Sequence, residues 1–275
     1  MAIELTMRVV AQEGLLCAPV GLSMPRVATV SVSVEGAAVR LIADPTNGQT
    51  AMALTPTEDA VTIRWGYRLG GAAYPEAMFA PRDSRYIRAA AALAEEARGI
   101  ASAAGGGPAG LRALVDHVTG LFRYGHPEER FYEGSDDIPQ LCGLTEGSCV
   151  DINAYLISAA RAAGYEAGYM TGCFIPEAKR DWCEDMHCWV VTRVDGVVQD
   201  WDIAHHLKMG VARVEPGLNP RPGVRVPLSH SMGWVLPEIG VADLKLLAEP
   251  LWFRDGRWLD AEPRITLAGY DLLAG

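Results

Sequence analysis

The stretch Gly147-Ser148-Cys149-Val150-Asp151 decides the fold that we expect for this chain. Ser148, with Asp151 three residues later, is typical of a helix N-cap that has an acidic partner at position N3. Small and apolar side chains then keep helical spacing at Ile152, Tyr155, Leu156, Ala159 and Ala163. Gly164 stands where a helix usually stops. The sequence therefore predicts a helix whose first residue is Cys149.

A thiol in this position has unusual chemistry available to it. The start of a helix presents unpaired backbone N–H groups and the positive end of the helix dipole, which favour the thiolate over the thiol. Cys149 is therefore a candidate nucleophile. The alternative is that Cys149 is a small buried residue without a chemical role, as most cysteines are.

A β-hairpin is predicted downstream of this helix. Residues 187–194 have the pattern of a strand, and Asp195-Gly196 is a favoured two-residue hairpin turn. Residues 197–204 are expected to return as the second strand. A turn of two residues fixes the register of both strands.

In that register Trp189 lies opposite Asp202, and His187 lies diagonal to Asp202 on the same face. An offset of two residues is about 6–7 Å, which an imidazole and a carboxylate can bridge. Asp200 is offset by four residues, about 13 Å, too far for a direct hydrogen bond. A carboxylate beside an imidazole holds its tautomer while the other ring nitrogen takes a proton from a thiol. Singly, His187 and Asp202 suit ordinary strand positions; with Cys149 they form a nucleophile, base and orienter.

The first part of the chain is predicted to be β structure. Residues 28–34 alternate apolar and polar side chains, and residues 39–43 and 60–65 have the composition of further strands. Helical spacing follows over residues 83–104 and 108–122. We therefore expect an N-terminal β-rich module, residues 1–80, and a second domain with a C-terminal extension, residues 81–275.

The chemistry-bearing blocks match a known pattern. They are, in order, Gly147-Ser148-Cys149-Val150-Asp151, Arg161-Ala162-Ala163-Gly164-Tyr165-Glu166-Ala167, Tyr169-Met170-Thr171-Gly172, His187-Cys188-Trp189-Val190 and Asp202. In order and spacing they resemble the transglutaminase-like (papain-like) superfamily over residues 82–210. The resemblance implies an α+β fold in which the cysteine-bearing helix packs on an antiparallel β-sheet, and the N-terminal β module resembles the region that accompanies many bacterial members. Two features depart from the family, because Gly168 stands where Arg is common and Asp202 is followed by Ile203-Ala204.

The resemblance also implies a function. It indicates a cysteine peptidase or amidase that acts on a peptide or amide substrate through a Cys149-His187-Asp202 triad and a thioester. A protein-glutamine transglutaminase and a non-catalytic binding module of the same fold are the alternatives. The oxyanion site is expected to use the backbone N–H of Cys149, with Gln140 and Trp189 as weaker candidates for oxyanion or substrate contacts.

Composition excludes several other classes of function. The chain has 24 Lys and Arg against 34 Asp and Glu, a formal net charge of -10, which opposes binding to nucleic acid and to anionic membranes. The N-terminus has no signal-peptide pattern, and no apolar run is long enough for a membrane span. We therefore expect a cytoplasmic protein that needs no cofactor.

A metal site is the remaining alternative. Six possible ligands occur within 34 residues: Cys173, Cys183, His187, Cys188, His205 and His206. Neither a C-x-x-C nor an H-E-x-x-H spacing occurs among them. In the predicted strand Cys188 points to the face opposite His187. The sequence therefore favours a triad without metal.

Overall fold

The structure is a computed structural model that describes residues 2–184, 186–211, 213–217 and 220–274. The strands are β1 (Ile3–Val10), β2 (Leu15–Pro19), β3 (Val27–Glu35), β4 (Ala37–Ala43), β5 (Thr50–Pro56), β6 (Ala60–Leu69), β7 (Phe122–Tyr124), β8 (Thr145–Gly147), β9 (Glu166–Pro176), β10 (Trp182–Cys183), β11 (Met186–Val194), β12 (Val197–Trp201), β13 (Gly223–His230), β14 (Trp234–Leu236), β15 (Val241–Leu244), β16 (Leu251–Arg254), β17 (Arg257–Asp260) and β18 (Arg264–Ala268). The helices are α1 (Glu76–Phe79), α2 (Ala91–Ala103), α3 (Gly107–Leu121), α4 (Cys149–Ala162), α5 (Ile203–Lys208) and α6 (Tyr270–Ala274), with a 3₁₀ turn at Pro237–Ile239.

The chain forms two compact units. The strand unit comprises Met1–Ala77, Thr171–His187 and Pro222–Gly275, and the helical unit comprises Met78–Met170 and Cys188–Arg221. No helix in the described part of the chain is long and apolar enough to cross a membrane. The predicted division into residues 1–80 and 81–275 stays a prediction.

Two five-stranded sheets build the strand unit. Their strand orders are β10-β18-β1-β6-β3 and β17-β16-β2-β5-β4. Strand β1 lies between β18 and β6, with Leu5 paired to Leu267 on one side and Trp65 on the other. Side chains on one face of β1 are fully or almost fully buried, including Leu5 and Met7. The alternation that a strand imposes on side-chain direction therefore gives the first sheet its core face.

The predicted strands at residues 28–34, 39–43 and 60–65 lie in β3, β4 and β6. Strand β3 is less regular than its sequence suggests, because the pairing to β6 shifts register between Thr29 and Ser31. Val30 at this irregularity is 56% exposed, although the alternation placed it on the apolar face. A β-bulge adds one residue to one strand and so interrupts the alternation.

The helical unit contains the predicted hairpin. Strands β11 and β12 pair antiparallel, with Val194 opposite Val197 and Val190 opposite Trp201, as the sequence predicted. The turn residues Asp195 and Gly196 have φ of 50° and 77°, the left-handed conformation that a two-residue type I′ turn requires. The second strand is shorter than predicted, because β12 ends at Trp201 and the chain turns into α5.

Helices α3 and α4 lie where the sequence predicts them, whereas α2 starts late. It begins at Ala91, and the predicted helical segment began at residue 83. The backbone around Ala89 forms a parallel bridge to Ile138, with Ile138 N–H donating to the Arg88 carbonyl and Ala90 N–H to the Ile138 carbonyl. These bonds hold residues 88–90 extended and so prevent a helix there.

Gly172 marks a close approach of two strands in the strand unit. A Cβ atom at this position in β9 would lie 2.0 Å from the carbonyl oxygen of Val226 and 2.9 Å from Cα of Pro227, both in the neighbouring strand β13. Because these are backbone atoms, they cannot move aside as a flexible side chain can. The position therefore requires glycine.

We predict that Gly172→Ala lowers the free energy of unfolding by about 1–3 kcal/mol, the usual effect of overpacking. Gly120→Ala is the control, since Gly120 lies exposed in α3 and a Cβ atom there would have no neighbour within 4 Å. In a helix that change stabilises by about 0.5–1 kcal/mol. Urea unfolding followed by circular dichroism measures both, and equal midpoints for Gly172→Ala and wild type would contradict the close approach.

Candidate active site

Helix α4 begins at Cys149, as predicted, and Ser148 is its N-cap. The Asp151 carboxylate accepts hydrogen bonds from Ser148 N–H at 2.8 Å and from the Ser148 hydroxyl at 2.7 Å. Gly164 follows the helix with φ of 89°, where a side chain would be strained. Both ends of the helix are therefore fixed by the residues that the sequence singled out.

An ion pair between half-buried Arg130 and buried Asp151 reinforces the start of α4. Arg130 Nη1 lies 2.5 Å from Asp151 Oδ1 and 3.3 Å from the Ser148 hydroxyl. The Asp151 side chain is completely buried. Burial alone would raise the pKa of Asp151, but the hydrogen bonds from Ser148 and the guanidinium of Arg130 lower that pKa below its ordinary value. The helix start therefore contains a carboxylate whose ionised form is stabilised from two sides.

Cys149 packs against a second cysteine. Asn153, one turn along α4 from Cys149, donates from Nδ2 to Cys188 Sγ in β11 at 3.4 Å, and Cys149 and Cys188 interact electrostatically. Cys149 is half-buried, whereas Cys188 is 3% exposed. Burial, followed by the contact with Cys149, raises the pKa of Cys188 well above its ordinary value. Of these two thiols, Cys149 is the one that solvent can reach.

Asp202 is the N-cap of α5, with φ of -133° and ψ of 72°. Its Oδ1 accepts from the backbone N–H of His205 at 3.0 Å, and its Oδ2 lies 2.9 Å from His205 Nδ1. The carbonyl oxygen of Asp202 lies 2.7 Å from His206 Nδ1. The side chains of Asp202, His205 and His206 are all buried. The chain therefore places the Asp202 carboxylate in a site from which water is excluded.

His187 lies in β11, next to Cys188 in sequence, and is 8% exposed. Its ring centroid is 5.9 Å from that of Phe174, with the rings tilted by 63°. His205, whose ring is paired with the Asp202 carboxylate in the helical unit, was considered from the sequence only as a metal ligand. The spacing Asp202-x-x-His205 was the available signal, because an N-cap aspartate reaches the residue three positions later.

Two imidazoles and one carboxylate are a donor set that can hold a transition metal. Here, however, His205 Nδ1 and Asp202 Oδ2 are at hydrogen-bond distance from each other. An ion bound by both atoms would have to replace that bond. The arrangement of these two residues is therefore that of a hydrogen-bonded pair.

The two weaker site candidates are both engaged in the fold. Gln140 donates from Nε2 to Glu96 Oε1 at 2.9 Å, and the same carboxylate lies 3.5 Å from His117 Nε2. Trp189 is 1% exposed in β11. A role for Gln140 at an oxyanion would require its amide to leave Glu96, and both roles stay predictions.

Comparisons with known proteins agree with this architecture. A solved structure of a candidate cysteine protease from Cytophaga hutchinsonii superposes with a TM-score of 0.54 at 10% identity, covering 97% of this chain and 96% of that one. A candidate protease from Parabacteroides distasonis aligns with a TM-score of 0.32 at 14% identity, over 72% of this chain and 42% of that one. No curated protein matches the sequence.

The family comparison covers the segment that carries Cys149. Residues 91–201 match the model of the transglutaminase-like superfamily. This segment runs from the start of α2 to the end of β12, and Asp202 follows it directly. The expected fold class is confirmed. The protein has a transglutaminase-like fold, and its residues 91–201 are similar to the transglutaminase-like superfamily.

Proposed function

We propose that the protein is a cysteine hydrolase that cleaves a peptide or amide bond, with Cys149 as nucleophile, His187 as base and Asp202 as orienting carboxylate. The observation that carries the proposal is the half-buried thiol of Cys149 at the first residue of α4, in the same unit as a buried carboxylate, Asp202, that is paired with an imidazole. A buried carboxylate beside an imidazole stabilises the imidazolium that forms when a thiol gives up its proton. A thiol at a helix start, with a buried carboxylate that can orient an imidazole, suits thiol acyl transfer.

Cys149 is the cysteine best suited to be the nucleophile. Its thiol is partly accessible and lies at the start of a helix of 14 residues, where backbone N–H groups favour the thiolate. Burial raises the pKa of Cys17 to about 12, and a hydrogen bond with Cys183, together with burial, raises the pKa of Cys173 well above its ordinary value. Cys142 is exposed but lies outside any helix or strand. Position and accessibility together therefore favour Cys149.

Asp202 can serve two imidazoles at once. A carboxylate offers about four lone-pair sites on two oxygens. His205 uses one oxygen through its ring and the other through its backbone N–H. These two bonds fix the orientation of the Asp202 carboxylate. In the proposed triad, His187 would donate to a carboxylate that needs no reorientation. Orientation of this kind lowers the cost of forming the imidazolium.

The reaction then follows from these positions. The Cys149 thiolate attacks the carbonyl carbon, and the backbone N–H of Cys149 stabilises the oxyanion. His187 gives its proton to the leaving amine, and a thioester remains on Cys149. Water activated by His187 hydrolyses the thioester. An amine in place of water would give transamidation, so the acceptor alone separates a hydrolase from a transglutaminase.

We predict that iodoacetamide labels Cys149 faster than the exposed Cys142 below pH 8, because His187 and the helix start favour the thiolate. His187→Ala should remove that advantage, and His117→Ala should keep it, since His117 lies beside Glu96 in the helical unit. Peptide mass spectrometry at several pH values measures each rate. A Cys149 that reacts no faster than Cys142 at any pH would favour a non-catalytic binding module.

We predict that Asp202→Asn lowers the rate of Cys149 acylation by p-nitrophenyl acetate about 10²–10⁴-fold, the contribution typical of general acid–base catalysis. Asparagine is as good an N-cap as aspartate, so α5 should remain folded, which far-UV circular dichroism checks. Asp200→Asn, two residues earlier in β12, is the matched control and should retain the wild-type rate. Equal rates for the two variants would remove Asp202 from the proposed mechanism.

A further inference from the structure

Helix α4 and strand β11 present two cysteines to each other in the helical unit. Cys149 and Asn153 are four residues apart, so they lie on the same face of α4. That face meets Cys188, because Asn153 Nδ2 is 3.4 Å from Cys188 Sγ. A disulfide joins cysteines whose Cα atoms are about 4.4–6.8 Å apart, so thiols on facing surfaces of one helix and one strand are suitable partners.

The two thiols differ in accessibility. Cys149 is half-buried, so a small oxidant in solution can reach it. Cys188 is 3% exposed and receives a hydrogen bond from Asn153, so it is shielded. A half-exposed thiol at a helix start and a shielded neighbour have the properties of an oxidisable cysteine and its resolving partner.

We propose that Cys188 is a resolving cysteine, and that a peroxide converts Cys149 and Cys188 into a reversible disulfide that switches the site off. In the first step the Cys149 thiolate attacks hydrogen peroxide, which yields a Cys149 sulfenic acid and hydroxide. In the second step the Cys188 thiol attacks the sulfenic sulfur, the S–S bond forms and water leaves. Two thiols are oxidised in total, and one peroxide is reduced to two waters.

The disulfide would have two consequences. It removes the nucleophile for as long as the bond exists, and a thiol reductant restores it. It also consumes the sulfenic acid before a second peroxide can oxidise Cys149 to the sulfinic acid, which is irreversible for most proteins. The contact with Cys188 would therefore protect Cys149 from permanent damage. This inference rests on the proposed function only in requiring Cys149 to be a reactive thiolate.

The test is a disulfide map of the full chain. Reduced protein is treated with hydrogen peroxide, denatured in excess N-ethylmaleimide and digested for mass spectrometry. We expect a linked pair of peptides carrying Cys149 and Cys188, lighter by two hydrogens than the separate peptides and lost on treatment with a phosphine. Cys149 labelling by iodoacetamide should fall to near zero after peroxide and return almost completely after the phosphine.

Two variants test whether Cys188 is the specific partner of Cys149. In Cys188→Ala, peroxide should drive Cys149 to sulfinic and sulfonic acids, and the phosphine should restore little labelling. Cys142→Ala removes the exposed thiol and should behave as wild type. The proposal is wrong if Cys188 of the peroxide-treated wild type is recovered as a free thiol, or if Cys149 is linked to Cys142 instead. The wild-type map decides the question even if Cys188→Ala does not fold.

The outcomes also separate this inference from the proposed function. If reduced Cys149 labels rapidly but stays unlinked after peroxide, the nucleophile stands and the resolving role of Cys188 is wrong. If Cys149 labels slowly in the reduced protein and the linked peptides still form, the disulfide stands and the hydrolase proposal fails.

Discussion

The ion pair between half-buried Arg130 and buried Asp151 is the constraint on which the start of α4 depends. Without Arg130 the buried carboxylate of Asp151 would lose the charge that compensates it, which destabilises the fold. Asp151 also accepts both hydrogen bonds from Ser148, so the loop that carries Arg130 and the first turn of the helix are fixed together. The orientation of the N–H groups at Cys149 follows from that arrangement.

A second set of contacts ties α4 to the hairpin. Cys149 and Asn153 meet Cys188 in β11, and β11 sets the register of β12. The end of the hairpin is closed by Trp201, whose Nε1 donates to Thr192 Oγ1 at 2.8 Å. The next residue, Asp202, caps α5. The Cys149 thiol and the buried Asp202 carboxylate are thus positioned by one continuous path of packed residues within the helical unit.

Local rules explain what could be predicted from the sequence. The start of α4 follows from Ser148 and Asp151, and the hairpin register follows from the Asp195-Gly196 turn, because capping and turn geometry involve residues close in sequence. The resemblance to a family supplied the fold class. The sequence also indicated the alternation in β3, but the bulge that exposes Val30 depends on pairing with β6.

The features that could not be predicted from the sequence are of two kinds. Some depend on contacts between residues distant in sequence, and one depends on which of two local patterns, strand or helix start, the chain adopts. Arg130 reaches Asp151 across 21 positions, and no spacing rule indicates that contact. Residues 88–90 are extended because they bond to Ile138, which overrides their helical composition. Asp202 follows a segment of alternating residues, which suggested that the strand continues through it. In the structure Asp202 is instead the N-cap of α5, because its carboxylate bonds to the backbone N–H and the ring of His205.

The two-residue turn at Asp195-Gly196 has an evolutionary consequence. Side chains alternate between faces, so an insertion or deletion of a single residue in this turn would reverse the face of every residue in β12 relative to β11. Such a change would place the chain that follows Trp201 on the opposite face of the hairpin. The turn is exposed and lies at the other end of β12 from Trp201, yet its length decides that placement. In related sequences this exposed turn should therefore tolerate substitutions that allow a positive φ but resist changes of length.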